Sequence, residues 1–129
     1  MPRPAKKPKM PNILWLDKPE EPNYPAAASY LALVLDDKQT ARLVKQLRKA
    51  PMTNFKAKDI FRASGLPLLG LSNFQVDKNR EKIREGKAIS PLLLVRDPVR
   101  GKVVIADGYH RLCAVYSLHQ DTPIPCKIV

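Results

Sequence analysis

A chain of 129 residues has room for one domain with a modest core, or for a smaller core with extensions, but not for two full domains. Hydrophobic residues make up 44% of it, which excludes wholesale disorder, and the formal net charge of +11 favours anionic partners such as nucleotides or nucleic acid. Two cysteines and no secretory leader argue against a disulfide framework and predict a cytoplasmic protein with reduced thiols, while no apolar run approaches the roughly 20 residues of a membrane span.

Residues 1–24 hold six of the 13 prolines, and the first ten contain Arg3, Lys6, Lys7 and Lys9 with no acid. This composition predicts a basic, proline-rich arm outside the core. The surplus of positive charge persists without it. Within the arm, Ile13-Leu14-Trp15-Leu16 is too apolar for a solvated linker and is expected to pack on the domain or on a neighbouring chain.

A single domain is expected over 25–129. Pro25 suits a first helical position, and Ala26–Leu35 are good helix formers, so a short buried helix is predicted there. Asp36 or Asp37 caps a second helix with Leu43, Val44, Leu47 and Ala50 on one face and Lys38, Arg42, Lys45 and Lys49 on the other, stopped by Pro51. The two aspartates read as caps and not as a metal pair, because neighbouring helical residues diverge. Thr53 or Asn54 caps a predicted third helix, with Phe55, Ile60, Phe61 and Ala63 for the core and Gly65 as its stop.

Residues 67–76 read as an extended linker with buried Leu68, Leu69, Leu71 and Phe74, after which Asp77 caps a charged fourth helix ending at Gly86. The period then changes. Leu92–Val95 and Val103–Ala106 are strand-like runs around the turn Asp97-Pro98-Val99-Arg100-Gly101, which predicts an antiparallel hairpin. A helix over 109–119 buries Leu112, Cys113, Val115 and Tyr116, and a closing strand runs from Ile124 to Val129. The helical first half and β-rich second half indicate an α+β domain with an added N-terminal helical layer.

Between the second strand and that last helix lies Asp107-Gly108-Tyr109-His110-Arg111. A strand that turns tightly into a helix leaves backbone N–H groups without intrahelical partners, at the positive end of the helix dipole. Phosphate suits such a place. Gly108 would let the backbone approach an anion, while His110 and Arg111 can donate charge-assisted hydrogen bonds. Asp107 has alternative roles, as helix cap, metal ligand or partner of His110. The bland alternative is a capped helix with a solvated first turn.

Lys78, Arg80, Lys82, Arg84 and Lys87 form a basic cluster that reads as a solvated face paired with Glu81 and Glu85. Ser90 can donate to a phosphate or cap a strand. Cys113 and Cys126 fall on apolar faces and read as core thiols, and with two histidines and no Cys/His cluster a zinc site has no support. His119 reads as a helix C-terminal residue.

The segments IREGKAISPLLLV, VVIADGYHRLCAVYSL and PIPCKIV, in that order, resemble the ParB/sulfiredoxin superfamily over a little more than a third of the chain, with a family core at about 66–129. That resemblance implies a small mixed domain whose turn binds nucleotide phosphates, here through Gly108, Tyr109, His110 and Arg111, with Lys78 and Ser90 at the border. If it holds, the helix of the basic cluster borders the nucleotide pocket and is not merely a solvated face. It also implies a nucleoside di- or triphosphate, accompanied by magnesium, as the ligand.

Sulfiredoxins carry a reactive cysteine where this chain has Tyr109, which forms no thiolate, so sulfinic acid reduction is not expected. ParB partition proteins place Glu-Arg-Arg after the glycine and continue into a DNA-binding domain that does not follow here. Asp-Gly-x-His-Arg looks closer to the branch that includes kinases of small molecules such as free serine; for any such reaction Asp107 and His110 are the candidate catalytic groups, by their proximity to the expected phosphates. Two other classes stay open. One is a non-catalytic nucleic-acid-binding module using the basic tail and second helix, and the other is a regulatory or structural domain whose inherited pocket is empty.

Overall fold

The structure, a computed structural model, describes residues 10–129. It is a mixed α+β domain with a four-stranded sheet and five helices. In chain order they are α1 (Asn23–Val34), α2 (Asp37–Lys49), β1 (Thr53–Lys56), α3 (Ala57–Ser64), α4 (Phe74–Arg84), β2 (Leu92–Asp97), β3 (Lys102–Asp107), α5 (Tyr109–Leu118) and β4 (Pro123–Ile128). The strand order is β1-β4-β2-β3. The β2–β3 hairpin is antiparallel as expected, β4 returns parallel to β2, and β1 adds antiparallel to β4.

Both faces of the sheet are covered, and the alternation along β2 shows why. Leu92 and Leu94 join Ile60, Val76, Ile83, Leu112, Val115 and Ile124 in a core under α3, α4 and α5. Leu93 and Val95 join Tyr24, Ala27, Leu31 and Leu47 in a second core under α1 and α2. The N-terminal helices are therefore a third layer. A buried lysine ties it down: Lys127 Nζ donates to the Arg48 carbonyl at 2.8 Å, while the Arg48 guanidinium pairs with Glu21 and lies 4.3 Å over the Tyr24 ring.

Several elements differ from expectation. α1 begins at Asn23, two residues ahead of Pro25, which stays in the first turn where its missing N–H costs nothing. Residues 53–56, expected to open a helix, are a strand instead, and Phe55 is exposed. Thr53 pairs with Cys126 and Lys56 with Pro123, so a distant partner overrides the local capping preference. α4 is capped by Asn73, whose side chain accepts from Gln75 and Val76 N–H, and not by Asp77. Leu68, Leu71 and Phe74 are exposed, Phe74 at 73%, whereas Leu69 packs on the core.

Other readings agree with the structure. Asp36 caps α2 by accepting from Gln39 N–H at 2.8 Å, and Gly65 ends α3 with φ 67°. Cys113 and Cys126 are buried free thiols. His119 is the C-cap residue of α5, and its Nδ1 accepts from Asp121 N–H at 3.1 Å. Ile13 and Trp15 pack on the main core, with Leu16 N–H donating to the Ile89 carbonyl at 2.9 Å and Ile89 N–H to the Leu14 carbonyl at 3.0 Å. The basic residues Arg3, Lys6, Lys7 and Lys9 lie outside the described residues. Among the described residues no helix is long and apolar enough to cross a membrane.

Candidate functional site

The hairpin delivers β3 to the site with a local irregularity. Leu93 pairs with Asp107 but Leu94 pairs with Ile105, so Ala106 is an extra residue, a bulge that re-aims the strand end. Gly108 follows with φ 109° and serves as the N-cap of α5. No side chain caps this helix, and its first backbone bond runs from Leu112 N–H to the Gly108 carbonyl at 2.9 Å. The N–H groups of Tyr109, His110 and Arg111 consequently lack intrahelical partners.

These residues line a cleft of about 220 Å³ together with Gln75, Lys78, Asn79, Lys82 and Asp107. The two walls meet because α4 packs against α5. Gln75, Lys78, Asn79 and Lys82 stand at i, i+3, i+4 and i+7, the spacing of one helix face, so α4 presents two ammonium groups and two amides to the mouth of α5. Neither lysine has an ion-pair partner among the described residues. The rest of the basic cluster goes elsewhere. Arg80 donates to Ser117 Oγ at 2.9 Å, Lys87 pairs with Glu85 at 2.9 Å, and Arg84 is exposed outside the cleft.

Asp107 is not the helix cap that was one of its expected roles. Its Oδ2 accepts from Arg111 Nη2 at 2.7 Å, an i,i+4 pair with both side chains more than four-fifths buried. Arg111 Nη2 also donates to the Pro91 carbonyl at 3.3 Å, whereas Arg111 Nε is buried without a hydrogen-bond partner. Tyr109 donates its hydroxyl to the Pro67 carbonyl, tethering the loop before α4. Burial, with a lesser contribution from Cys113, holds its phenol above the ordinary value and keeps it a neutral donor. The His110 ring stacks on Tyr109 with centroids 5.7 Å apart.

The structure thus brings Asp107, Gly108, Tyr109, His110, Arg111 and Lys78 around one cavity. Ser90 is not among the residues lining it: its buried hydroxyl accepts from Glu20 N–H at 3.1 Å and from the Asn23 side chain. Gln75 and Asn79 are the lining residues that the sequence reading did not assign to the site, and their helical spacing with Lys78 and Lys82 is the signal that could have found them. A larger cavity of about 630 Å³ alongside β3 has mainly aliphatic walls and none of the candidate site residues.

As a metal site the cleft has one carboxylate, already held by a guanidinium, facing two lysines. Among the described residues no group of three or more His, Cys, Asp or Glu is placed to hold a metal ion. This donor set does not fit a protein-held magnesium ion. Comparison with protein-family models, curated proteins and solved structures finds no match to this chain.

Proposed function

We propose that the cleft at the mouth of α5 binds the phosphate groups of a nucleotide or another phosphorylated small molecule, on a domain of the ParB/sulfiredoxin type. The observation that carries this reading is the uncapped N-terminus of α5 facing Lys78 and Lys82, with Asp107 as the one acid of the lining and already paired. A phosphate there would meet unpartnered N–H groups, the positive end of the dipole and two free ammonium groups. The succession of β2, β3, a glycine turn, α5 and β4 supports the relationship to that superfamily.

Transfer of a phosphoryl group to a small-molecule hydroxyl would require a proton acceptor at the cleft. His110 lines the cleft and is the candidate for that role, while Asp107 has one carboxylate oxygen held by Arg111. Binding comes first as a test. Calorimetric titration with a panel of nucleoside di- and triphosphates should show at least one that binds the wild type more tightly than Arg111→Ala. If none does, the reading is wrong.

One observation favours a second reading. Lys38, Arg42, Lys45 and Lys49 are all exposed on α2 at i, i+4, i+7 and i+11, a basic stripe suited to a nucleic-acid backbone. Binding by this stripe would be steeply salt-dependent, and a gel shift that shows no retardation at low salt would exclude it.

A further inference from the structure

Proteins that hold phosphate chains commonly neutralise them with magnesium, anchored by one or two carboxylates. This cleft offers only Asp107, whose Oδ2 is occupied by Arg111 Nη2 at 2.7 Å. Its other formally charged groups are cations from two different elements, Lys78 and Lys82 on α4 and Arg111 on α5. A divalent cation carried into this space would face the two unpaired ammonium groups, since Arg111 and Asp107 neutralise each other. It would also sit on the oxygens that those charges are placed to bind.

One further observation bears on the form of the ligand. The volume of about 220 Å³ is below the roughly 300–1,000 Å³ of a pocket that encloses a whole small-molecule ligand. The space therefore suits the phosphate portion of a ligand, with any attached group lying outside.

From this geometry we infer that the cleft takes a di- or triphosphate group free of divalent metal, with Lys78, Lys82 and the first amides of α5 supplying the neutralising charge beside the paired Arg111. The inference rests on the phosphate-binding reading and adds to it the form in which the ligand is recognised. Magnesium then acts as a competitor, because it complexes the same oxygens in solution.

The test is calorimetric titration of the full chain with inorganic pyrophosphate and with ATP, each in EDTA and again in excess magnesium chloride at matched ionic strength. Both ligands should bind in EDTA, and magnesium should weaken both severalfold. Lys78→Gln and Lys82→Gln, at exposed helix positions, should each weaken binding in EDTA by about tenfold, the effect of losing one charge-assisted hydrogen bond. Binding that requires magnesium, or that is indifferent to both substitutions, overturns the inference while leaving a phosphate site in place. Failure of both ligands in both solutions, together with failure of the wider nucleotide panel, overturns the phosphate reading itself.

Discussion

Gly108 and Leu92 stand so close that a β-carbon on the glycine would lie 2.6 Å from Leu92 Cγ, and it would also come within 3.0 Å of Arg111 Nη2. The glycine is thus required by the packing beneath the cleft and by its φ of 109°, as well as by any ligand above it. Packing against Leu92 is a role for this glycine beyond the approach of an anion expected from the sequence. Gly108→Ala should cost about 2–4 kcal/mol, combining backbone strain with overpacking against Leu92. Urea denaturation measures this, and a loss within experimental error would show that Leu92 moves aside freely.

Lys127 is a buried cation on β4 whose ammonium group satisfies a carbonyl in the last turn of α2. Lys127→Met keeps most of the side-chain volume but removes the donor, leaving the Arg48 carbonyl with no replacement. The expected loss is about 1–3 kcal/mol. If the contact anchors the N-terminal layer, hydrogen exchange should accelerate in α1 and α2 before it does in α5. Uniform acceleration across the domain would contradict that local role.

The parts of this molecule that were legible in its sequence are those whose causes are local. Asp36 and Gly65 act within one turn of their own helices, and the strand, glycine and helix of 103–118 are contiguous, so the turn of the candidate site could be read directly. Thr53 and Asn54 misled because their capping preference competes with pairing to residues some 70 positions away, a partner that no local pattern discloses. Leu68, Leu71 and Phe74 were assigned to the core by hydrophobicity alone, in a segment with no period to say which way each side chain points. Gln75 and Asn79 were missed for a related reason. The polar face of α4 looks like any solvated helix until its packing against α5 is known.

The two thiols carry a pH dependence whose sign can be worked out. Burial pushes Cys126 up to about 11 from its ordinary value of 9.0, and raises Cys113 in the same direction. Unfolding in alkali therefore releases protons that the folded state retains. The stability associated with the neutral thiols is fully present below the ordinary value and is lost as the pH rises toward the folded one. Wild-type protein should lose more stability than Cys126→Ala between neutrality and about pH 10, as read by urea midpoints. Equal losses would refute the assignment. Near neutrality, neither thiol should react with Ellman's reagent until the chain unfolds.

Tyr109 gives a way to separate the loop from the phosphate cleft. Its hydroxyl holds the Pro67 carbonyl, its ring stacks on His110, and its backbone N–H belongs to the open first turn of α5. Tyr109→Phe removes only the first of these. The loop over 66–73 should then loosen, with faster proteolysis between Leu66 and Gly70 and a stability loss of about 1 kcal/mol. Because the amides and the ring remain, phosphate affinity should hold within a small factor. A large loss of affinity would instead mean that the phenol itself meets the ligand, and that the bond to Pro67 is exchanged for one to phosphate on binding.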